Sequence, residues 1–123
     1  MKLKELFQKD YIPSFHPFKE MYMNYSKQDP EWDWIPIEKF SIKKIKIDRS
    51  LFNNNVDEND VIYMMNNFYE DAWEAVIVNS DYYLLDGQHR LRLASKIRLK
   101  YINLIMRKRK DINVSKKITE KIR

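Results

Sequence analysis

Apolar residues recur along the chain with two spacings, every second residue in some segments and every third or fourth in others, which predicts short strands interleaved with helices. Residues 2–9 have helical spacing, with Leu3, Leu6 and Phe7 on one side, and Pro13 and Pro17 stop any helix soon after. Residues 11–34 are crowded with aromatics without a clear period, so they read as an extended arm wrapping the core. Residues 35–40 predict a strand with Pro36 at its start, and residues 43–47 alternate again as a half-exposed strand or turn, closed by Asp48-Arg49-Ser50. Past the polar loop Asn53-Asn54-Asn55, residues 57–68 predict a helix with Val61, Ile62, Met65 and Phe68 on its apolar face. An acidic loop, 69–74, leads to a strand at 75–78 and the turn Asn79-Ser80-Asp81. Residues 82–85 read as a buried strand and 88–98 as a helix burying Leu91, Ala94 and Ile97; a last strand spans 101–106. Val114, Ile118 and Ile122 then recur at four-residue spacing, so 113–123 can form a short amphipathic helix with Lys116, Lys117, Lys121 and Arg123 opposite the apolar seam.

Between the strand at 82–85 and the helix at 88–98 lies the chain's only glycine, Gly87. A protein that uses glycine once has placed it at positive φ or where backbone must come close to something else. Gly87 is then a strand-to-helix hinge. The first turn of the following helix has unpaired N–H groups and a partial positive charge, which attract phosphate or carboxylate. The same turn presents Gln88, His89 and Arg90. Arg90 offers a planar fork of donors suited to phosphate oxygens, His89 can move a proton near neutral pH, and Asp86 can cap the helix or hold His89 or Arg90 in place. The plainer alternative is a capped helix after a tight turn, with solvated His and Arg.

Other chemistry is thinly represented. The chain has no cysteine, which excludes disulfides, thiolate metal sites and cysteine nucleophiles. His16 has no second histidine or cysteine nearby, so no metal site is expected there. Asp57, Glu58 and Asp60 suit a helix start and the macrodipole there, with magnesium binding as the alternative. Trp32 and Trp34, flanking Asp33, either pack or stack a nucleobase. No apolar run approaches a membrane span and the first residues lack a signal-peptide core, so a cytoplasmic protein without membrane contact is expected.

Charge is uneven. Residues 87–123 carry 13 Lys+Arg against 2 Asp+Glu, a net of +11, which with +5 for the whole chain leaves −6 for residues 1–86. Such asymmetry suggests a polyanion partner, an acidic face on another copy, or a solvated surface. The run Arg107-Lys108-Arg109-Lys110, directly after the last strand, is the candidate nucleic-acid contact, with DNA the expected polyanion.

Asp86-Gly87-Gln88-His89-Arg90, followed by Leu91 and Ala94 and then the strand Leu99-Lys100-Tyr101-Ile102-Asn103-Leu104-Ile105, resembles the signature segment of the ParB/sulfiredoxin superfamily. Upstream, Ile35-Pro36-Ile37-Glu38-Lys39-Phe40 resembles that superfamily's opening strand, and Ala75-Val76-Ile77-Val78 its second. The resemblance divides the chain into an N-terminal arm (1–33), a ParB/sulfiredoxin-like domain (34–106) and a basic C-terminal tail or helix (107–123). It implies an α+β fold, a small mixed sheet with packed helices. It also implies a nucleoside triphosphate, ATP or CTP with accompanying Mg2+, whose phosphates meet Gly87, Gln88, His89 and Arg90, with Arg49 reaching in from upstream. His89 and Asp86 are then the candidates for catalysis.

Once a nucleotide is bound, superfamily members diverge in their chemistry. Partition proteins use CTP as a clamp switch on DNA, some phage and plasmid members hydrolyse ATP or cut DNA, and free serine kinases phosphorylate serine. Sulfiredoxin chemistry needs a cysteine that is absent here. Partition proteins carry a helix-turn-helix and a dimerisation domain after this one, and neither is expected here. The kinases place a glutamate base shortly after the first strand, where this chain has lysines, with Asp48 or Glu38 as the substitutes. The expectation is a nucleotide-binding domain of phage or plasmid type acting on or near nucleic acid, as a weak NTPase or nuclease. A small-molecule kinase and a non-catalytic binding module are the alternatives. An unpaired strand edge in a small sheet leaves a homodimer open.

Overall fold

The computed structural model describes residues 3–14, 18–50 and 56–110. His16, the Asn53-Asn54-Asn55 loop and the amphipathic segment 113–123 lie outside them. The elements in chain order are α1 (Leu3–Leu6), α2 (Phe18–Gln28), β1 (Trp32–Ser41), α3 (Glu58–Asn66), β2 (Val76–Asn79), β3 (Leu84–Asp86), α4 (Gln88–Lys96) and β4 (Tyr101–Arg109). The four strands form one mixed sheet in the order β1-β4-β2-β3. β4 pairs antiparallel with β1 and parallel with β2, while β2 and β3 are antiparallel. The fold is α+β, as the signature segment implied.

Alternation along β4 supplies apolar side chains to both faces of the sheet. Ile102, Leu104 and Met106 join Val76, Val78 and Leu84 beneath Val61 from α3 and Leu91, Leu93 and Ala94 from α4, with Ile97 just past its end. On the opposite face Ile105, Ile77, Ala75 and Trp34 are covered by Phe18, Met21, Tyr22 and Tyr25 of α2. Both sheet faces are therefore covered, with α3 and α4 on one side and α2 on the other.

Among the described residues one polar residue, Asn103, is buried. Asn103 is 2% exposed, and its Oδ1 accepts from the Tyr11 hydroxyl (2.7 Å) and the Lys39 amide (2.9 Å) while its Nδ2 donates to Ser14 Oγ (3.2 Å). The β1–β4 register shifts between Ile37 and Phe40, and Lys39 in that bulge has φ 54°. A bulge leaves an amide without a ladder partner, and Asn103 supplies the missing acceptor. β1 is an edge strand, which is why Pro36, with no N–H to donate, is tolerated well inside it rather than at its start.

Several expectations are corrected. Within the supposed arm at 11–34 lies the eleven-residue helix α2; Phe18, Met21, Tyr22 and Tyr25 recur at helical spacing, a signal hidden among unrelated aromatics. The opening helix is only Leu3–Leu6, and Phe7 points outward at 45% exposure. Of the strand or turn expected at 43–47 the structure has a turn: the 3₁₀ turn Ile42–Lys44, followed by a single bridge from Lys46 to Tyr83. The strand read at 82–85 starts later, at Leu84, because Tyr82 sits in the turn at φ 69°. α3 stops at Asn66 with Ile62 exposed, and α4 stops at Lys96. β4 continues to Arg109, so three residues of the basic run belong to the strand.

Candidate functional site

Gly87 joins β3 to α4 in the left-handed region, at φ 101°. An ideal Cβ on it would lie 2.7 Å from Val76 Cγ1 and 3.3 Å from Val76 Cα, closer than side chains pack. Both reasons for a glycine therefore operate at one position, a positive φ and a close approach to β2. The consequence for the site is chemical. A glycine at the N-cap has no side chain to satisfy the amides of the first turn, and α4 has no side-chain cap. Asp86 does not cap the helix as expected: its Oδ1 accepts from the Gly87 amide (2.9 Å), one residue too early.

In front of this turn lies a cavity of about 280 Å3, lined by Met64 of α3 and by Asp86, Gly87, Gln88, His89 and Arg90. Five consecutive residues of the signature segment thus converge on one space. His89 is partly exposed, and its Nε2 stands 3.9 Å from Asp60 Oδ2 without a hydrogen-bond partner among the described residues. Arg90 is partly buried, and one terminal nitrogen donates to the Ala75 carbonyl at the start of β2. That bond holds the guanidinium in place and removes one of its donors from any ligand. Arg49 and Asp48 do not line the cavity: Arg49 is exposed in a turn, and Asp48 accepts from the Ser50 amide (2.9 Å) and hydroxyl (2.6 Å). The Ser50 hydroxyl, and then its amide, hold the Asp48 carboxyl below the ordinary carboxylate range.

The structure adds a residue absent from the sequence reading. The Tyr25 phenol of α2 has its pKa raised, first by burial and then by the negative charge of Asp86, with Arg90 opposing and Glu74 adding to the rise. Tyr25 therefore shares the electrostatic environment of the signature segment from the other face of the sheet. The helical spacing of Phe18, Met21, Tyr22 and Tyr25 was the signal available for it.

The acids at the start of α3 are occupied structurally. Asp57 caps the helix through the Asn59 amide (2.9 Å). Glu58 accepts from Arg92 Nε (2.8 Å) and pairs with Lys96 Nζ (3.1 Å), tying α3 to α4. Hydrogen bonds from Lys96, then Arg92, hold the Glu58 carboxyl below its usual range. Among the described residues no three His, Cys, Asp or Glu side chains are grouped to hold a metal ion.

At the far edge of the sheet the basic run meets an aromatic. The guanidinium of Arg107 lies 4.3 Å from the centre of the Trp32 ring and that of Arg109 lies 5.6 Å from it. Trp34 is buried, stacked on Tyr25 (4.8 Å) with its Nε1 donating to the Asp29 carbonyl (3.1 Å), so it packs and does not offer a stacking surface. No helix among the described residues is long and apolar enough to cross a membrane.

No family model matches the chain, and no curated protein matches it. Similar solved structures exist. A pNOB8-like ParB N-domain aligns with a TM-score of 0.53 and 24% identity, over 63% of this chain and 29% of that one. A C2221 form of a pNOB8-like ParB N-domain gives 0.48 and 23% over 64% and 31%, and sulfiredoxin from Arabidopsis thaliana 0.49 and 24% over 60% and 85%. The chain thus spans under a third of the length of the first of these. Over the aligned part, the mixed four-stranded sheet and its packed helices have the fold of the pNOB8-like ParB N-domain.

Proposed function

We propose that this chain binds the phosphates of a nucleoside triphosphate at the first turn of α4 and acts on or near nucleic acid. One observation carries the reading: a glycine held at φ 101° against Val76 gives that turn no N-cap side chain and sets it before a cavity lined by His89 and Arg90. The positive end of a helix and a fixed guanidinium are parts that phosphate binding requires. Arg90, anchored on Ala75, keeps its remaining donors for phosphate oxygens. His89 beside Asp60 can give a proton to a leaving oxygen, and Asp86 bounds the other side of the cavity. Among the described residues no three carboxylates or histidines group to hold a magnesium ion by themselves.

A kinase-like reading needs a base near the phosphate. Asp48 is bound to Ser50 with its carboxyl acidified, and neither it nor Glu38 lines the cavity. That leaves hydrolysis, or binding alone, as the better supported outcome.

Calorimetric titration with ATP, CTP, GTP and ADP, with and without Mg2+, tests the reading against Arg90→Ala and His89→Ala. The expected result is binding that weakens about tenfold or more in Arg90→Ala, the loss of a charge-assisted contact. His89→Ala should bind but release no phosphate. No heat with any nucleotide would overturn the proposal, and phosphoserine formed from ATP and free serine would replace it with the kinase reading.

A further inference from the structure

We propose that the cleft beside Trp32 is a contact site for single-stranded nucleic acid, one base entering the cleft and the phosphates running along Arg107, Arg109 and Lys110. Between α2 and β1 lies a space of about 410 Å3, lined by Tyr22, Ser26, Pro30, Trp32 and Lys110 and closed on one side by Trp34. Its size falls within the range of small-ligand clefts, about 300–1,000 Å3. Its walls combine aromatic surface with a cation, and Asp33 is the one carboxylate among its lining residues.

The charges at this edge meet the Trp32 ring but form no ion pair among the described residues. Arg90 is bonded to Ala75, and Arg92 and Lys96 share the carboxylate of Glu58. Among the described residues, by contrast, none of Arg107, Lys108, Arg109 and Lys110 is paired with a carboxylate. Lys108, Arg109 and Lys110 are exposed and Arg107 is half-buried. Lys108 stands opposite Asp33 in the β1–β4 register, whereas Arg107 and Arg109 stand opposite Trp34 and Trp32, so an anion that runs past Arg107, Arg109 and Lys110 is favoured.

The geometry narrows the anion to a strand with accessible bases. The pairing Trp32↔Arg109 and Trp34↔Arg107 across β1 and β4 sets Arg107 and Arg109 beside the Trp32 ring. Stacking limits the rotamers of Arg107 and Arg109, so less freedom is lost when their forks meet phosphate oxygens. The indole and the neighbouring Tyr22 and Pro30 can take the face of a base. Duplex DNA keeps its base faces stacked inside, whereas a single strand exposes them. The cleft is at the β1 edge of the sheet and the Gly87 cavity at the β3 edge, so the two sites are separate.

This inference gives a partner to the nucleic-acid half of the proposed function, and the two fail independently, since Arg90→Ala addresses the cavity and Trp32→Ala the cleft. The test is fluorescence anisotropy of a labelled oligothymidine of about fifteen nucleotides, a length within the site sizes of single-strand binders, at low salt, with unlabelled duplex, thymidine monophosphate and heparin as competitors. The expected result is oligonucleotide binding that falls with rising salt, weakens about tenfold in Trp32→Ala and is largely kept in Trp32→Phe. Duplex and mononucleotide should compete about tenfold less well than the unlabelled strand. If Trp32→Ala is poorly folded by thermal melting, Arg109→Gln at an exposed position replaces it, with a shallower salt dependence expected. Absence of binding at low salt, heparin competing as well as the strand with Trp32→Ala without effect, or equal competition by the mononucleotide would each overturn the proposal.

Discussion

A Cβ on Gly87 would stand 2.7 Å from Cγ1 of Val76, and the φ of 101° at Gly87 is one that side chains rarely adopt. Gly87→Ala should therefore lose stability twice over. The backbone strain alone is about 1–3 kcal/mol, and the clash adds to it. Combining Gly87→Ala with Val76→Ala should recover the part of the clash made by Cγ1 and leave the closeness to Cβ and Cα of residue 76 together with the strain, which a double-mutant cycle by urea denaturation separates. A Gly87→Ala protein as stable as the parent would refute the left-handed hinge.

Asn103 is the hub that lets β1 bulge. Asn103→Leu removes the acceptor of the Lys39 amide and the Tyr11 hydroxyl, both part-buried, and two lost hydrogen bonds cost together about 1–3 kcal/mol. Denaturant titration should show a loss in that range. Tyr11→Phe, which removes only one of the two donors, should lose less.

His89→Ala should leave stability within about 0.5 kcal/mol of the parent, because the side chain is 45% exposed and its ion pair with Asp60 is long, at 3.9 Å. A melting curve near the parent's, alongside loss of phosphate release, would separate a chemical role from a structural one. A markedly lower melting temperature would contradict it.

At alkaline pH the fold should weaken. Burial, the largest cause in each, raises the pKa of Tyr11 and Tyr25 above the ordinary 10.0. A raised folded-state pKa contributes stability that is complete below the unfolded value and is lost as pH rises through the folded one. Stability should thus fall above about pH 10, the unfolded tyrosine value, and Tyr25→Phe should flatten that fall. An identical alkaline limb in the variant would argue against the burial of the phenol.

At acid pH the link between α3 and α4 should release. The carboxyl of Glu58 is held below 4.5 by Lys96 and Arg92, so its contribution is present above the unfolded value and lost as pH falls through the folded one. Glu58→Gln should remove that part of the acid limb. High salt should diminish the same difference, since the pair is exposed.

The signature segment could be read directly because its determinants are local. A lone glycine before a run with Leu91, Ala94 and Ile97 at helical spacing predicts a hinge and a helix, and both are present. Asp86 was harder to place: a carboxylate before a helix is a cap or not according to backbone position, and here it lies one residue too early. Arg49 was assigned by resemblance, and the turn that holds it leads away from the cavity lining. α2 was missed because its apolar face, Phe18, Met21, Tyr22 and Tyr25, is followed in the chain by Trp32 and Trp34 of β1, which join the same cluster and blur the helical period.

The sequence by itself determined the periodicities, the single permissive backbone position at Gly87, the absence of thiol chemistry and the concentration of positive charge after it, since each depends on residue type and near neighbours alone. Tertiary structure decided the rest. It set which cations are used internally, as Arg90 is by Ala75 and Arg92 and Lys96 by Glu58, and which are left at the Trp32 edge. It also brought Tyr25 into the field of Asp86 and Arg90, and Asn103 to the Lys39 bulge 64 residues away. Those outcomes depend on strand order and register, which join residues remote in the chain.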